Sequence, residues 1–267
     1  MTVTYSKAPL VELIAELRWG EALNISAGDS LSAIQPDLPT SKDEEIYMQF
    51  GAAVSAIGYG RFERVLPPGF PRLHGHVVCR YRPTNPSEQA PLFQLGPGVF
   101  TANALPPYKS WASFSPVVRK GIDCLFKAYD VAQMPAPAFN AVLVRYIDAF
   151  GDDLTAGRNV QAFLREVMGL NIVLPDVLLT VALDANDIQP LLHLAIPVSL
   201  GRLEIKIAEG KKSNERAIML DTAILIQNAI GSNADAAMQA LTEGRQLIHD
   251  LFRGLTKPIH VAMSPIP

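Results

Sequence analysis

The sequence predicts an α+β protein in which two pseudo-repeats of the order β-α-β4-α form antiparallel sheets curved around long helices. Two observations support this prediction. In several short segments apolar residues alternate with polar ones, a period that is typical of half-buried strands. Two long segments instead carry apolar residues at helical spacing, and each follows a set of strand-like segments. Of the 267 residues 49% are hydrophobic, which is enough to fill one large core or two smaller ones.

The first half opens with a strand and a helix. Apolar residues at every second position predict a strand over 11–19. Ser41 and Glu44 stand at the spacing of a capping box, which predicts a helix over 42–57. Residues 20–41 are rich in Gly, Ser, Asp and Pro, as is typical of a long loop. Four strand-like segments and an amphipathic helix follow, at 61–66, 74–82, 91–95, 99–104 and 111–130.

The second half repeats this order after a Pro-containing linker at 134–138. The patterns predict a strand, a helix, four strands and a helix, at 140–150, 159–168, 177–183, 191–197, 203–208, 217–228 and 234–255. The expected division is therefore a first repeat over 1–132, a second over 138–258 and a tail over 259–267. Two such units side by side would form a saddle, as in TATA-box-binding-like or helix-grip-like folds. This analogy concerns architecture and carries no function.

Composition argues against several classes of function. The net charge is −3, with 23 basic and 26 acidic residues, whereas nucleic-acid binders usually need a basic patch. Cys79 and Cys124 lie far apart and predict neither a disulfide nor a zinc site. The N-terminal residues lack the pattern of a signal peptide, and the most apolar run, 177–183, is too short to span a bilayer. We therefore expect a cytoplasmic protein without membrane association.

Three motifs together carry a family resemblance. They are Pro-Leu-Val-Glu at 9–12, the spacing Asn-x4-Tyr-x2-Trp-x2-Phe at 103–114 after Gln-Leu-Gly-Pro at 94–97, and Arg-Tyr-Ile-Asp at 145–148. With them the chain resembles a sporadically distributed family of bacterial proteins of roughly this length and of unknown function, in which Asn usually stands at the position of Asp148. The patchy distribution of that family suggests mobile or defence-linked genes.

The motifs supply the candidate binding residues, which are Glu12, Asn103, Tyr108, Trp111, Arg145, Tyr146 and Asp148. Asn103, Tyr108 and Trp111 surround a strand-to-helix junction, where free backbone N–H groups could hold an anion or a loop of a partner. Alternatively, Trp111 and Phe114 pack the helix onto the sheet, since large aromatic residues dominate cores.

Acidic and histidine residues form two candidate chemical sites. Asp148, Asp152 and Asp153 cluster at a strand end, where carboxylates can bind a hard cation or act as acid and base. Aspartate is also common in turns and helix caps. His74 and His76 could face one side of a strand and bind a metal, but the pair lacks a third ligand. The sequence therefore predicts no catalytic residue, no metal and no cofactor.

Glu12 and Arg145 lie on the opening strands of the two predicted repeats. Alternation turns both side chains away from the helices, and the opening strands of two repeats would meet near a pseudo-twofold axis. We therefore expect a charge pair between them. The alternative is that Arg145 holds an anionic ligand or an acidic partner loop.

Three functions compete. The absence of catalytic motifs favours a non-enzymatic protein-interaction module, and the resemblance suggests a toxin-neutralising partner or a component of a mobile defence system. The alternative is a small-molecule binder or enzyme with a pocket between sheet and helix near Arg145, Tyr146 and Asp148. Nucleic-acid binding on an open saddle face fits the analogy but not the charge. The sequence specifies neither the partner nor the oligomeric state.

Overall fold

The computed structural model describes residues 4–20, 41–67, 70, 73–184, 188–227 and 230–266. The predicted loop over 20–41 therefore lies outside the described residues, apart from its two ends. The strands are β1 (Thr4–Tyr5), β2 (Leu10–Trp19), β3 (Arg61–Arg64), β4 (Cys79–Arg82), β5 (Leu92–Gly96), β6 (Val99–Ala104), β7 (Phe139–Phe150), β8 (Leu192–Val198), β9 (Gly201–Lys212), β10 (Glu215–Ile226) and β11 (Pro265–Ile266). The helices are α1 (Ser41–Ser55), α2 (Trp111–Val131), α3 (Asp152–Thr155), α4 (Val160–Glu166), α5 (Asp176–Val181) and α6 (Ala234–Leu255).

The fold is α+β, as predicted. Nine strands form one open antiparallel sheet in the order β3-β4-β5-β6-β2-β7-β10-β9-β8, and β1 pairs with β11 separately. The chain folds into two compact units. The terminal unit contains Met1–Glu12, Arg145–Ile224 and Gly244–Pro267, and the central unit contains Leu13–Val144 and Leu225–Glu243.

The core of the central unit lies between its strands and helices α1 and α2. Leu17 and Phe100 stand opposite each other on β2 and β6, so both face the same side of the sheet, where Phe100 contacts Phe50 of α1. Helix α2 approaches this side closely at Gly121, where an added Cβ would lie 2.6 Å from a ring carbon of Phe93. A side chain at position 121 would therefore push the helix off the sheet.

The core of the terminal unit is built around Phe150 at the end of β7. Its ring centroid lies 5.1 Å from that of Phe163 on α4 and 6.3 Å from that of Phe252 on α6. Along β9 the buried residues Leu203, Ile205 and Ile207 alternate with Arg202, Glu204 and Lys206. This period of two is the pattern of a strand with one face in the core.

The prediction of a strand over 177–183 is wrong, because these residues contribute to the short helix α5. Pro175 precedes the helix, and Asp176 in its first turn interacts favourably with the helix dipole. As a result, three strands rather than four follow α4 in the described part of the second half. The predicted strand over 74–82 is also too long. Residues 73–78 form a turn and irregular chain, with Gly75 at φ +78°, and only Cys79–Arg82 is a strand.

Candidate interaction surface

Asn103 lies in a buried polar network on the face of β6 opposite Phe100. The Asn103 side-chain oxygen accepts hydrogen bonds from Thr101 Oγ1 at 2.7 Å and from Gln94 Nε2 at 3.2 Å. Gln94 in turn accepts one from Arg80 Nε at 3.1 Å. Asn103 is 2% exposed. The family-like residues Gln94 and Asn103 are thus brought into contact, and this contact cross-links neighbouring strands rather than opening a cavity.

Tyr108 and Trp111 pack around the first turn of α2. The indole of Trp111 is largely buried and donates from Nε1 to Thr242 Oγ1 at 3.2 Å. Its ring centroid lies 6.0 Å from that of Phe114, which lies 6.3 Å from that of Tyr108. Ser110 caps the helix by accepting from the Ser113 backbone N–H. This arrangement fits the packing alternative for these aromatic residues.

Arg145 forms a two-point ion pair. Its Nε and Nη2 atoms donate to the two carboxylate oxygens of Asp221 on β10, at 2.7 and 2.6 Å. The Arg145 and Asp221 side chains are 40% and 20% exposed. The pairing of Glu12 with Arg145 stays a prediction.

Asp148 is a buried carboxyl on β7. It is 4% exposed and has no hydrogen bond or ion pair with another described residue. Burial raises the pKa of Asp148 to about 7, although the charge of Lys212 opposes the shift. Asp148 lies three positions after Arg145, so strand alternation places their side chains on opposite faces, with Tyr146 on the face of Asp148.

Two clefts are lined by polar side chains. In the terminal unit a groove of about 550 Å³ is lined by Lys7, Ala149, Asp152, Asp153 and Arg216, among others. Thus two members of the predicted acidic cluster line a groove that also carries cations. In the central unit a cleft of about 330 Å³ includes His74, whose Nε2 donates to the Trp19 carbonyl at 2.8 Å. Among described residues, no group of three acidic, histidine or cysteine side chains could hold a metal ion.

An exposed apolar segment, described over 173–184 and 188–191, is the feature that sequence reasoning missed. Helix α5 lies within it and has no buried residue. The large apolar side chains that are solvent-exposed in this segment are Val173, Val177, Leu178, Leu179, Val181, Leu183 and Leu191. Soluble proteins rarely expose so many large apolar side chains in one stretch unless the surface binds something.

Along the chain, the charged residues of this segment are all acidic. Between Arg165 and Arg202 the sequence contains no lysine or arginine but three aspartates. Asp176 begins α5, and Asp184 follows its last turn. The described part of the segment therefore combines exposed apolar side chains with an aspartate at the start of α5 and another after its end. The run of apolar residues and the missing basic residues were both visible in the sequence, but exposure was not.

Comparison of the chain with protein-family models, curated proteins and solved structures finds no match. Within the part of the chain that the structure describes, no helix combines the length and apolar character needed to cross a bilayer.

Proposed function

We propose that this protein is a non-enzymatic interaction module that docks a partner protein on the described part of the apolar segment, around helix α5. The observation that supports this proposal is helix α5, in which four of six residues are large and apolar and none is buried. A helix of this kind is stable when its side chains are covered. A partner that covers them would remove apolar area from water, which is the main favourable contribution to most protein associations.

The expected partner presents apolar side chains flanked by lysine or arginine. Asp176 and Asp184, at the two ends of α5, attract a basic surface and repel an acidic one, which contributes to association rate and specificity. The same carboxylates disfavour docking of nucleic acid on α5. A toxin-neutralising or defence-linked role stays a prediction from the family resemblance.

The finer architecture belongs to the same proposal. The opening strands β2 and β7 are neighbours, and strand order outward from them is β6, β5, β4, β3 on one side and β10, β9, β8 on the other. This order supports two pseudo-repeats related about the β2–β7 junction, with the second repeat one strand shorter.

Cys79 and Cys124 are buried and form no disulfide, which agrees with a cytoplasmic location.

The small-molecule alternative has weaker support. A pocket built from Arg145, Tyr146 and Asp148 would need their side chains on one face, whereas alternation separates Arg145 from the other two. The Arg145 guanidinium is also engaged by Asp221.

Site-specific photo-crosslinking in the cell tests the docking proposal. A photoreactive amino acid at position 181 is expected to give one discrete adduct with a partner whose contacting surface carries lysine or arginine. The matched control is position 48 on α1, because Met48 and Val181 are 70% and 71% exposed. Equal adduct patterns from both positions would contradict a specific surface at the apolar segment.

A further inference from the structure

Five side chains of the terminal unit carry buried polar atoms that lack a well-formed hydrogen bond. These atoms are Tyr5 Oη, Arg245 Nε, His249 Nε2, Arg253 Nε and His260 Nε2, although the Tyr5 hydroxyl interacts with the Arg253 side chain. Buried polar groups are normally satisfied, and each unmade hydrogen bond destabilises the folded state. Together these atoms indicate a missing hydrogen-bonding partner, and because Arg245 and Arg253 can only donate, that partner must accept hydrogen bonds.

Three of these groups lie on one face of α6. Arg245, His249 and Arg253 are spaced four residues apart, so their side chains follow one another along the helix. Tyr5 of β1 lies beside the C-terminal part of α6, because its ring centroid is 6.4 Å from that of Phe252 and 5.6 Å from that of His260.

The charges of the cluster act on one another. Burial lowers the pKa of His249 and the charges of Arg245 and Arg253 lower it further, while the charge of Asp250 opposes the shift. Burial raises the pKa of Tyr5, while the charge of Arg253 and a hydrogen bond with its side chain oppose that shift. His249 therefore lies within electrostatic range of Arg245 and Arg253, and Tyr5 within range of Arg253.

Arg245 is the most deeply buried member of the cluster. It is 7% exposed, and its described hydrogen bond runs from Nη1 to the neutral side-chain oxygen of Gln246 at 3.3 Å. No carboxylate of a described residue lies within ion-pair distance of Arg245 or Arg253. Asp250, the nearby acid on the same helix, accepts a hydrogen bond from Gln246 at 2.9 Å. A buried guanidinium without a counter-charge is unfavourable, and an anion between the side chains would relieve this.

We infer that Tyr5, Arg245, His249 and Arg253 form a binding site for a phosphate oxyanion, either free phosphate or a phosphate monoester. Two guanidinium groups, an imidazole and a phenol offer several donors from different directions, which suits a group with several acceptor oxygens. Arginine N–H groups match phosphate geometry and form short, charge-assisted hydrogen bonds with it. This site lies outside the apolar segment, so it adds a second binding activity to the proposed docking function.

The test uses the full chain with inorganic phosphate as the probe. Thermal unfolding and isothermal titration are measured in phosphate and in sodium chloride of equal ionic strength. Phosphate is expected to raise the Tm above the chloride value and to bind with a measurable Kd. Acetate distinguishes phosphate recognition from attraction of any anion, and glycerol phosphate distinguishes a monoester from free phosphate.

Three variants locate the site. Arg245→Gln and Arg253→Gln remove a cation each, and Tyr5→Phe removes one hydroxyl without a change in shape. Each is expected to weaken phosphate binding at least tenfold. Tyr5→Phe and Arg253→Gln keep the test decisive if Arg245→Gln fails to fold. The control is Arg165→Gln, an exposed arginine on α4, which should leave the Kd unchanged.

Two results would overturn the inference. One is a phosphate effect no larger than that of chloride or acetate. The other is an equal response to phosphate in the wild type, in Tyr5→Phe and in Arg253→Gln.

Discussion

Arg145 on β7 and Asp221 on β10 form a two-point ion pair, with donor–acceptor distances of 2.7 and 2.6 Å. The two residues are 76 positions apart in the chain, so the pair joins strands that are distant in sequence. Because both side chains are partly exposed, water screens their attraction, and the pair contributes more to strand register than to stability.

A double-mutant cycle measures this pair. Arg145→Ala and Asp221→Ala should each lower the free energy of unfolding by about 1 kcal/mol, with a coupling energy of about 0.5–1 kcal/mol. Urea denaturation of the wild type, the two single variants and the double variant gives the coupling energy. A second cycle with Glu12→Ala and Arg145→Ala tests the predicted Glu12 pairing, and a zero coupling energy in that cycle would refute it.

Asp148 is expected to make stability depend on pH. Burial raises its pKa from 3.8 to about 7. Between these values the folded state holds a proton that the unfolded state has released, so stability falls as pH rises, by about 1.4 kcal/mol per pH unit, and levels off above the folded pKa. The variant Asp148→Asn lacks this titration.

The measurement is the unfolding free energy of wild type and Asp148→Asn from pH 4 to pH 8. The two proteins should be similar near pH 4, and the variant should be more stable by a few kcal/mol near pH 8. Parallel curves for the two proteins over this range would show that Asp148 is not the titrating group.

The polar network around Asn103 should be sensitive to substitution. Asn103→Ala removes the oxygen that accepts from Thr101 and Gln94, which leaves buried donors unsatisfied and should cost about 1–3 kcal/mol. Gln239→Ala on the exposed face of α6 is the control and should stay within about 0.5 kcal/mol of wild type. Urea denaturation distinguishes the two variants, and equal stability of both would contradict the network.

Two glycines in helices should respond in opposite directions to alanine. In Gly121→Ala the new methyl group would meet the rings of Phe93 and Phe100 at 2.6 and 2.7 Å, which should cost about 1–3 kcal/mol. In Gly254→Ala the methyl group meets nothing within 4 Å, and the reduced flexibility of the unfolded chain should stabilise the protein by about 0.5–1 kcal/mol. Thermal unfolding tests both variants. A stabilised Gly121→Ala would mean that α2 does not approach the sheet as closely as described.

The long periodic elements were predictable from the sequence. The strand over 99–104 and the helix over 234–255 agree with β6 and α6, because alternation or helical spacing persists long enough to exclude the other structure. The run over 177–183 could not be assigned this way, since a short apolar stretch fits a buried strand and a helix equally well.

The partners of the site residues were harder to predict. Asp221 could not be assigned to Arg145, because the pair depends on the register of β7 against β10. The spacing of Arg245, His249 and Arg253 was visible in the sequence, but their burial beside Tyr5 depends on how the two chain ends pack, which no local pattern encodes.

The central claim is that the apolar segment docks a partner protein, and the affinity of the cross-linked partner for matched variants tests it most directly. Val181→Asp places a charge among the exposed apolar side chains of α5, and Met48→Asp places the same charge on an equally exposed position of α1. We expect Val181→Asp to raise the Kd at least tenfold, which corresponds to about 1.4 kcal/mol, and Met48→Asp to leave it unchanged. An unchanged Kd for Val181→Asp, with the partner still bound by the folded variant, would contradict docking at this segment.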